Sequence, residues 1–211
     1  MDAPPRSAWP YAKSSKDSLV LIAPYDGIGG ARRALELLGL EPALYISIEQ
    51  DPACAEVVKR QWPEVVTFGS IESVTDECLI ETLAKYPKLQ EGLVIGGPPC
   101  QPFSRLNEER TGFEDERSDQ VGNYVELVAR LKRLFPKIRW SDVMENVASM
   151  MPTDRDEITK RLEPIHPSPP YLLDAADLGP VNRPRLYWTS FEVYDGEHTE
   201  LIQEKEHEGY I

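Results

Sequence analysis

The amino-acid sequence predicts a doubly wound α/β fold on a mostly parallel sheet, from three observations. Short apolar, β-rich runs alternate with helical patterns, which is how βαβ units read in sequence. A glycine turn, Tyr25-Asp26-Gly27-Ile28-Gly29-Gly30, stands where the first strand meets its helix. An acid, Glu49, follows Gly27 by 22 residues, at the end of the second strand.

The first strand is expected over Ser18–Pro24, and Ala31–Leu38 follows as a helix stopped by Gly39 in a left-handed cap. Ala43–Ile48 reads as strand two. Asp51 is an N-cap and Pro52 a first helical residue for a helix whose buried face would be Ala53, Val57, Val58 and Trp62. A short third strand is expected at Val65–Phe68, a helix at Asp76–Tyr86 and a fourth strand at Leu93–Gly97. Arg105–Asp119 is too charged for core. The helix Val121–Phe135 carries Val121, Val125, Val128, Leu131 and Phe135 at helical spacing. Trp140–Met144 reads as strand five, and Asp154 with Glu157 as the capping box of a helix ending near Glu163. Beyond the proline-rich linker His166–Pro170, two strands, Tyr171–Asp174 and Leu186–Val193, flank a loop through Asp177–Arg185. The organisation expected is a disordered segment over 1–17, one catalytic domain over 18–194 and an acidic tail over 195–211.

The longest apolar runs fall far short of the ~20 residues that span a bilayer, and no signal-peptide core precedes Asp17, so an intracellular protein without membrane contact is expected. Three cysteines, Cys54, Cys78 and Cys100, show no C-x-x-C spacing, and His166, His198 and His207 form no ligand set. Reduced thiols and no metal are expected. The net charge of -13 opposes unaided binding to phosphates. From Glu192 onward seven acids face Lys205 alone, which accounts for six of those thirteen charges.

In the glycine turn, backbone amides can approach a nucleotide-like ligand, and Glu49 can hold both ribose hydroxyls of a bound nucleoside. A dinucleotide fingerprint would want a third glycine where Arg32 stands. A plain tight turn beside an exposed glutamate is the other reading. After strand four comes Gly96-Gly97-Pro98-Pro99-Cys100-Gln101-Pro102-Phe103-Ser104, in which two prolines stiffen the backbone before the cysteine, as an aimed nucleophile requires. A lone cysteine is otherwise core filler, but this one lies in a polar loop at a strand's carboxyl end. Strand five is followed by Glu145-Asn146-Val147, polar groups that a strand end can also carry for solvation alone. In a sheet of order 3-2-1-4-5, strands one, four and five are neighbours, so the glycine turn, Cys100 and Glu145 would converge.

These motifs, with Gly112-Phe113-Glu114-Asp115-Glu116-Arg117 and Asn182-Arg183-Pro184-Arg185, resemble the cytosine-C5 methyltransferase family over residues 18–191. The stretch Glu145–Met150 with Asp154–Ile158 is most similar to the animal de novo DNA methyltransferases, and Gly112–Arg117 to bacterial modification enzymes. The resemblance implies a Rossmann-like methyltransferase fold, S-adenosylmethionine as cofactor and cytosine in DNA as substrate. It implies catalytic roles for Cys100 as nucleophile, Glu145 at the cytosine N3, Asn146 as a support, and Arg183 and Arg185 at the base. Tyr25, Asp26, Gly27, Gly29 and Gly30 would contact the cofactor. So would Glu49, Gln50, Ser70, Ile71 and Pro99. The target base would be flipped out, with Ser104–Arg117 closing over it.

Ser70 replaces an acid that is usual for the family, and Val181 a glutamine. Neither a target-recognition region nor the family's C-terminal asparagine motif follows Val193. The expectation is therefore an enzyme that is weak or inactive alone and needs a complementing or regulatory protein chain. Two rivals share the motifs: an inactive accessory paralogue, and a methyltransferase acting on tRNA cytosine, with RNA in place of DNA. The compartment expected is the nucleus in a eukaryote and the cytoplasm otherwise.

Overall fold

A computed structural model describes residues 17–99, 120–165, 168–177, 179–191, 193 and 200–201. The chain divides into two compact units, one from the N-terminal part through Val94 with Leu131–Ser141, the other from Ile95–Arg130 with Asp142 onward.

The first unit holds β1 (Leu19–Pro24), α1 (Gly30–Leu37), β2 (Leu44–Ile48), α2 (Pro52–Gln61), β3 (Val66–Phe68), a 3-10 turn at Ile71–Ser73, and α3 (Asp76–Leu83). It also takes the first residues of β4 (Glu91–Gly96) and of β5 (Arg139–Val147), and the strand order is β3-β2-β1-β4-β5. β1 pairs in parallel with β2 and β4, and β2 with β3. Every residue of β1 and β2 is buried, as strands of a parallel sheet covered on both faces must be. Gly39, at φ +71°, ends α1: its amide donates to the Glu36 carbonyl and that of Leu40 to Leu35, so the predicted cap forms as a Schellman motif. Asp51 caps α2 by accepting from the Ala53 amide at 2.8 Å, ahead of Pro52. The expected buried face of α2 is half right. Val58 and Trp62 are buried, whereas Ala53 and Val57 are exposed. The two pairs lie on adjacent i, i+4 ridges about 100° apart, and only one of them is covered.

The second unit holds the end of β4, most of α4 (Gln120–Leu134), the rest of β5, α5 (Pro152–Leu162), β6 (Tyr171–Asp174), a 3-10 turn at Ala175–Asp177, β7 (Pro184–Thr189) and β8 (Glu200–Leu201). Its strand order is β4-β5-β7-β6-β8. β5 with β7, β7 with β6, and β6 with β8 are antiparallel, so the parallel pairing expected is met in the first unit, whereas these pairings of the second are antiparallel. β5 runs three residues past its expected end because Glu145–Val147 pair with Arg185–Tyr187. For the same reason Pro184 and Arg185 belong to β7 rather than to a loop. The capping box does not form. Pro152 at the first helical position starts α5 after Met151, which leaves Asp154 inside the first turn, and Glu157 accepts from Arg161 at 3.1 Å. On α4 the buried set is Val121, Tyr124, Leu127, Val128 and Leu131, with Val125 and Phe135 half-buried.

Among the described residues no helix is long and apolar enough to cross a membrane. Two residues of the expected acidic tail, Glu200 and Leu201, pair with Leu172 and Tyr171 as β8.

Candidate active site

In the first unit the glycine turn is built on unusual backbone angles. Tyr25, Gly27 and Gly29 all have positive φ, at 56°, 57° and 86°. At Gly29 only glycine fits, because a Cβ would stand 2.2 Å from the Trp62 ring. Trp62 is the floor of the turn, edge-on to Tyr45, with the Arg32 guanidinium 5.8 Å from its centroid and its Nε1 donating to Glu36 at 2.6 Å. At Gly27 and Gly30 an added Cβ would meet nothing within 4 Å, so the turn keeps an open side.

Glu49 joins this turn to the start of α2. Its Oε2 accepts from the Gly27 amide and its Oε1 from the Asp51 amide, both at 2.8 Å. Each oxygen keeps a further lone pair. Asp26 turns inward: its Oδ2 accepts from the Tyr45 hydroxyl and from Ser47 Oγ at 2.5 Å, while Oδ1 is buried without a hydrogen-bond partner. Burial pushes the Asp26 carboxyl up, against the two hydroxyl donors that pull it down, and Glu49 adds to the rise. Burial, then Asp26, pushes the Tyr45 phenol upward, so it remains a donor. Neither Tyr45 nor Ser47 was expected here. Their spacing of two on a strand is the signal, since it puts both on one face of β2 beside Asp26. Gln50 is exposed, Ser70 is half-buried at the head of the 3-10 turn, and Ile71 is buried within it.

In the second unit Glu145 and Arg185 come together across β5 and β7, with Nε of Arg185 2.7 Å from Oε1 of Glu145. A Cβ on Gly97 would stand 2.9 Å from Oε2 of the same carboxylate, so that glycine lets the segment before Cys100 lie against Glu145. Asn146 points to the other face of β5, where Met144, Leu186 and Trp188 are buried. There its Nδ2 donates to the Pro98 carbonyl at 3.4 Å and its Oδ1 accepts from the Val147 amide at 2.8 Å. It braces the chain before Cys100 rather than standing beside Glu145. Arg183 is exposed, and its backbone amide donates to Asp174 Oδ1 at 2.7 Å. Pro99 is half-buried. Cys100 and the loop Ser104–Arg117 lie outside the described residues. Of the other cysteines, Cys54 is in α2 and Cys78 in α3, and burial followed by Asp51 and Glu49 pushes the Cys54 thiol up, away from nucleophilic thiolate. Among the described residues no cluster of potential metal ligands is present.

A model of the C-5 cytosine-specific DNA methylase family matches residues 22–209. The type II methyltransferase M.AquIA of Picosynechococcus is 32% identical over 182 residues, 79% of this chain and 69% of that protein. The human tRNA (cytosine(38)-C(5))-methyltransferase is 25% identical over 149 residues, 70% of this chain and 35% of that protein. Among solved structures, a Spodoptera frugiperda DNMT2 variant aligns with a TM-score of 0.54 at 24% identity, over 82% of this chain and 49% of that one. The Entamoeba histolytica methyltransferase EhMeth aligns at 0.57 and 18%, over 85% and 55%. These two likenesses are of fold, and this chain spans about half the length of each structure.

Proposed function

Because the chain belongs to the C-5 cytosine-specific DNA methylase family, we propose that it methylates C5 of cytosine in DNA through a covalent adduct with Cys100. The observation that carries this reading is the Glu145–Arg185 pair lying against Gly97, three residues before that cysteine. Cytosine C5 is a poor nucleophile. Addition of the Cys100 thiolate at C6 forms an S–C6 bond and pushes electron density towards N3 and, after protonation there, onto C5. Glu145 hydrogen-bonds N3 and stabilises the charge that addition creates, while Arg185 holds the Glu145 carboxyl in place. Once C5 carries the methyl group, loss of the C5 proton to a base re-forms the C5=C6 bond, breaks the S–C6 bond, releases the thiolate and restores the aromatic ring.

The residues of the first unit fit S-adenosylmethionine, which when bound supplies the methyl group as a sulfonium electrophile. The open side of the turn at Gly27 and Gly30 admits a ligand against backbone amides, and Gly29, closed from below by Trp62, holds that turn in shape. The free lone pairs of Glu49 suit ribose hydroxyls; Tyr25 opens the turn, Gln50 follows Glu49 at the end of β2, and Ser70 and Ile71 follow β3, the strand paired with β2. Asp26 supports the turn from beneath through Tyr45 and Ser47. The net charge of -13 works against phosphate binding, so productive engagement of DNA is assigned to this chain together with a complementing protein chain. The likeness to a human tRNA methyltransferase favours tRNA cytosine as the second reading.

The test is covalent capture. DNA carrying 5-fluorocytosine cannot lose its C5 substituent, so the protein, with S-adenosylmethionine, should stay attached through denaturing electrophoresis. Cys100→Ser should abolish the band, and Cys54→Ser and Cys78→Ser should leave it. Capture by 5-fluorocytosine tRNA alone would move the substrate to RNA. No band with either, in folded protein given a complementing chain, would leave an accessory paralogue.

A further inference from the structure

The residue directly opposite Glu145 on β7 is Tyr187, and the residue opposite Arg185 is Val147. Paired residues of an antiparallel ladder share a face, so Glu145, Arg185 and Tyr187 project on the same side of the sheet, away from buried Met144 and Trp188. Arg185 takes one carboxylate oxygen, and Gly97, which has no Cβ, lies close to the other. Tyr187 stands on the remaining cross-strand side. We propose that Tyr187 is a positioning residue for Glu145, its ring walling the carboxyl group and holding it against Arg185.

Two further observations support this assignment, which rests on the catalytic role proposed for Glu145. Tyr187 shares the electrostatics of the pair: burial pushes its phenol up, Glu145 adds to the rise, and Arg185 and Arg183 oppose it. The phenol therefore stays protonated and acts through shape rather than charge. Across the next strand, Tyr187 is paired with Tyr171, whose hydroxyl accepts from the Val193 amide at 3.4 Å, so Tyr187 is backed on the side away from Glu145. No hydroxyl chemistry is needed for a wall, which separates this role from that of a proton donor.

The experiment compares Tyr187→Phe, which keeps the ring, with Tyr187→Leu, which removes it. The rate of 5-fluorocytosine adduct formation at saturating DNA should fall by about 10- to 100-fold in the leucine protein, the scale of a misplacement near 1 Å, with KM little changed. The phenylalanine protein should match wild type. The second readout needs no substrate: exchange of the Arg185 Nε proton with water, followed by NMR, should quicken in the leucine protein and not in the phenylalanine one. Unchanged exchange in the leucine protein would overturn the proposal whatever the activity. Quickened exchange in a protein whose wild type, given a complementing chain, captures no substrate would uphold the positioning and sink the methyltransferase reading. Should Tyr187→Leu fail to fold, Tyr187→Met is read in its place by the same exchange measurement.

Discussion

Arg185 reaches diagonally across the β5–β7 pair to bring its Nε within 2.7 Å of Oε1 of Glu145, past the direct partner, Tyr187. Its side chain is 18% exposed and that of Glu145 31%, so solvent screens the pair, and it contributes roughly 0–1 kcal/mol to stability. Its importance lies in orientation. Arg185→Ala should leave the unfolding free energy within about 1 kcal/mol of wild type while slowing adduct formation by about 100-fold. Arg185→Lys should fall between, because an ammonium on a flexible stem lacks the planar fork. Chemical denaturation and the capture assay together decide this, and a large stability loss with normal capture would make the pair a brace.

Two glycines should respond oppositely to alanine. At Gly97 the added Cβ would meet only the end of the Glu145 side chain, at 2.9 Å, which can swing aside. Gly97→Ala should therefore fold normally and lose adduct formation. At Gly92 the Cβ would lie 2.2 Å from the Trp140 ring, so Gly92→Ala should lower stability by about 1–3 kcal/mol through overpacking. Thermal melts of both proteins would show it, and equal melting points would mean that Trp140 yields as easily as Glu145.

Removing the Glu49 carboxylate takes the acceptor from the Gly27 and Asp51 amides and from a bound ribose together. Glu49→Ala should weaken S-adenosylmethionine binding by about 1–3 kcal/mol in calorimetry, and Glu49→Gln, which keeps one acceptor oxygen, by less. Unchanged affinity in the alanine protein would confine Glu49 to tethering the turn to α2.

Asp26 makes stability depend on pH. Its folded-state value lies above that of an ordinary aspartate carboxyl, chiefly through burial. The protonated form's contribution is thus complete below the unfolded value and disappears as pH rises through the folded one. Asp26→Asn does not titrate and still offers an oxygen to Tyr45 and Ser47. Its melting temperature relative to wild type should therefore be higher at pH 8 than at pH 4. An offset independent of pH would show that the Tyr45 and Ser47 hydrogen bonds fully offset burial.

Much of the site was legible because its signals are local. Gly27 to Glu49, strand end to strand end, follows from one βαβ unit, and Pro98-Pro99-Cys100 is contiguous in the sequence. The α5 capping box was misread because Asp154 and Pro152 offer competing starts three residues apart, and proline at the first helical position prevailed. β5 was cut short at Met144 because Glu145 and Asn146 read as polar loop, when β7 in fact supplies them with a ladder.

The sequence by itself determined the alternation of strands and helices, the glycine turn, the acid beyond β2 and the segment that carries the cysteine. Each depends on residues within one element or its immediate turn, where backbone geometry and hydrophobic period are set locally. Only the tertiary structure decided that Tyr45 and Ser47 hold Asp26, that Trp62 lies under Gly29, that Gly97 lies against Glu145 and that Tyr187 faces Glu145. Those relations depend on strand register and on which ridge of a helix is covered. A slip of one residue would send every side chain of a strand to the opposite face, and register is set by packing among segments distant in the chain.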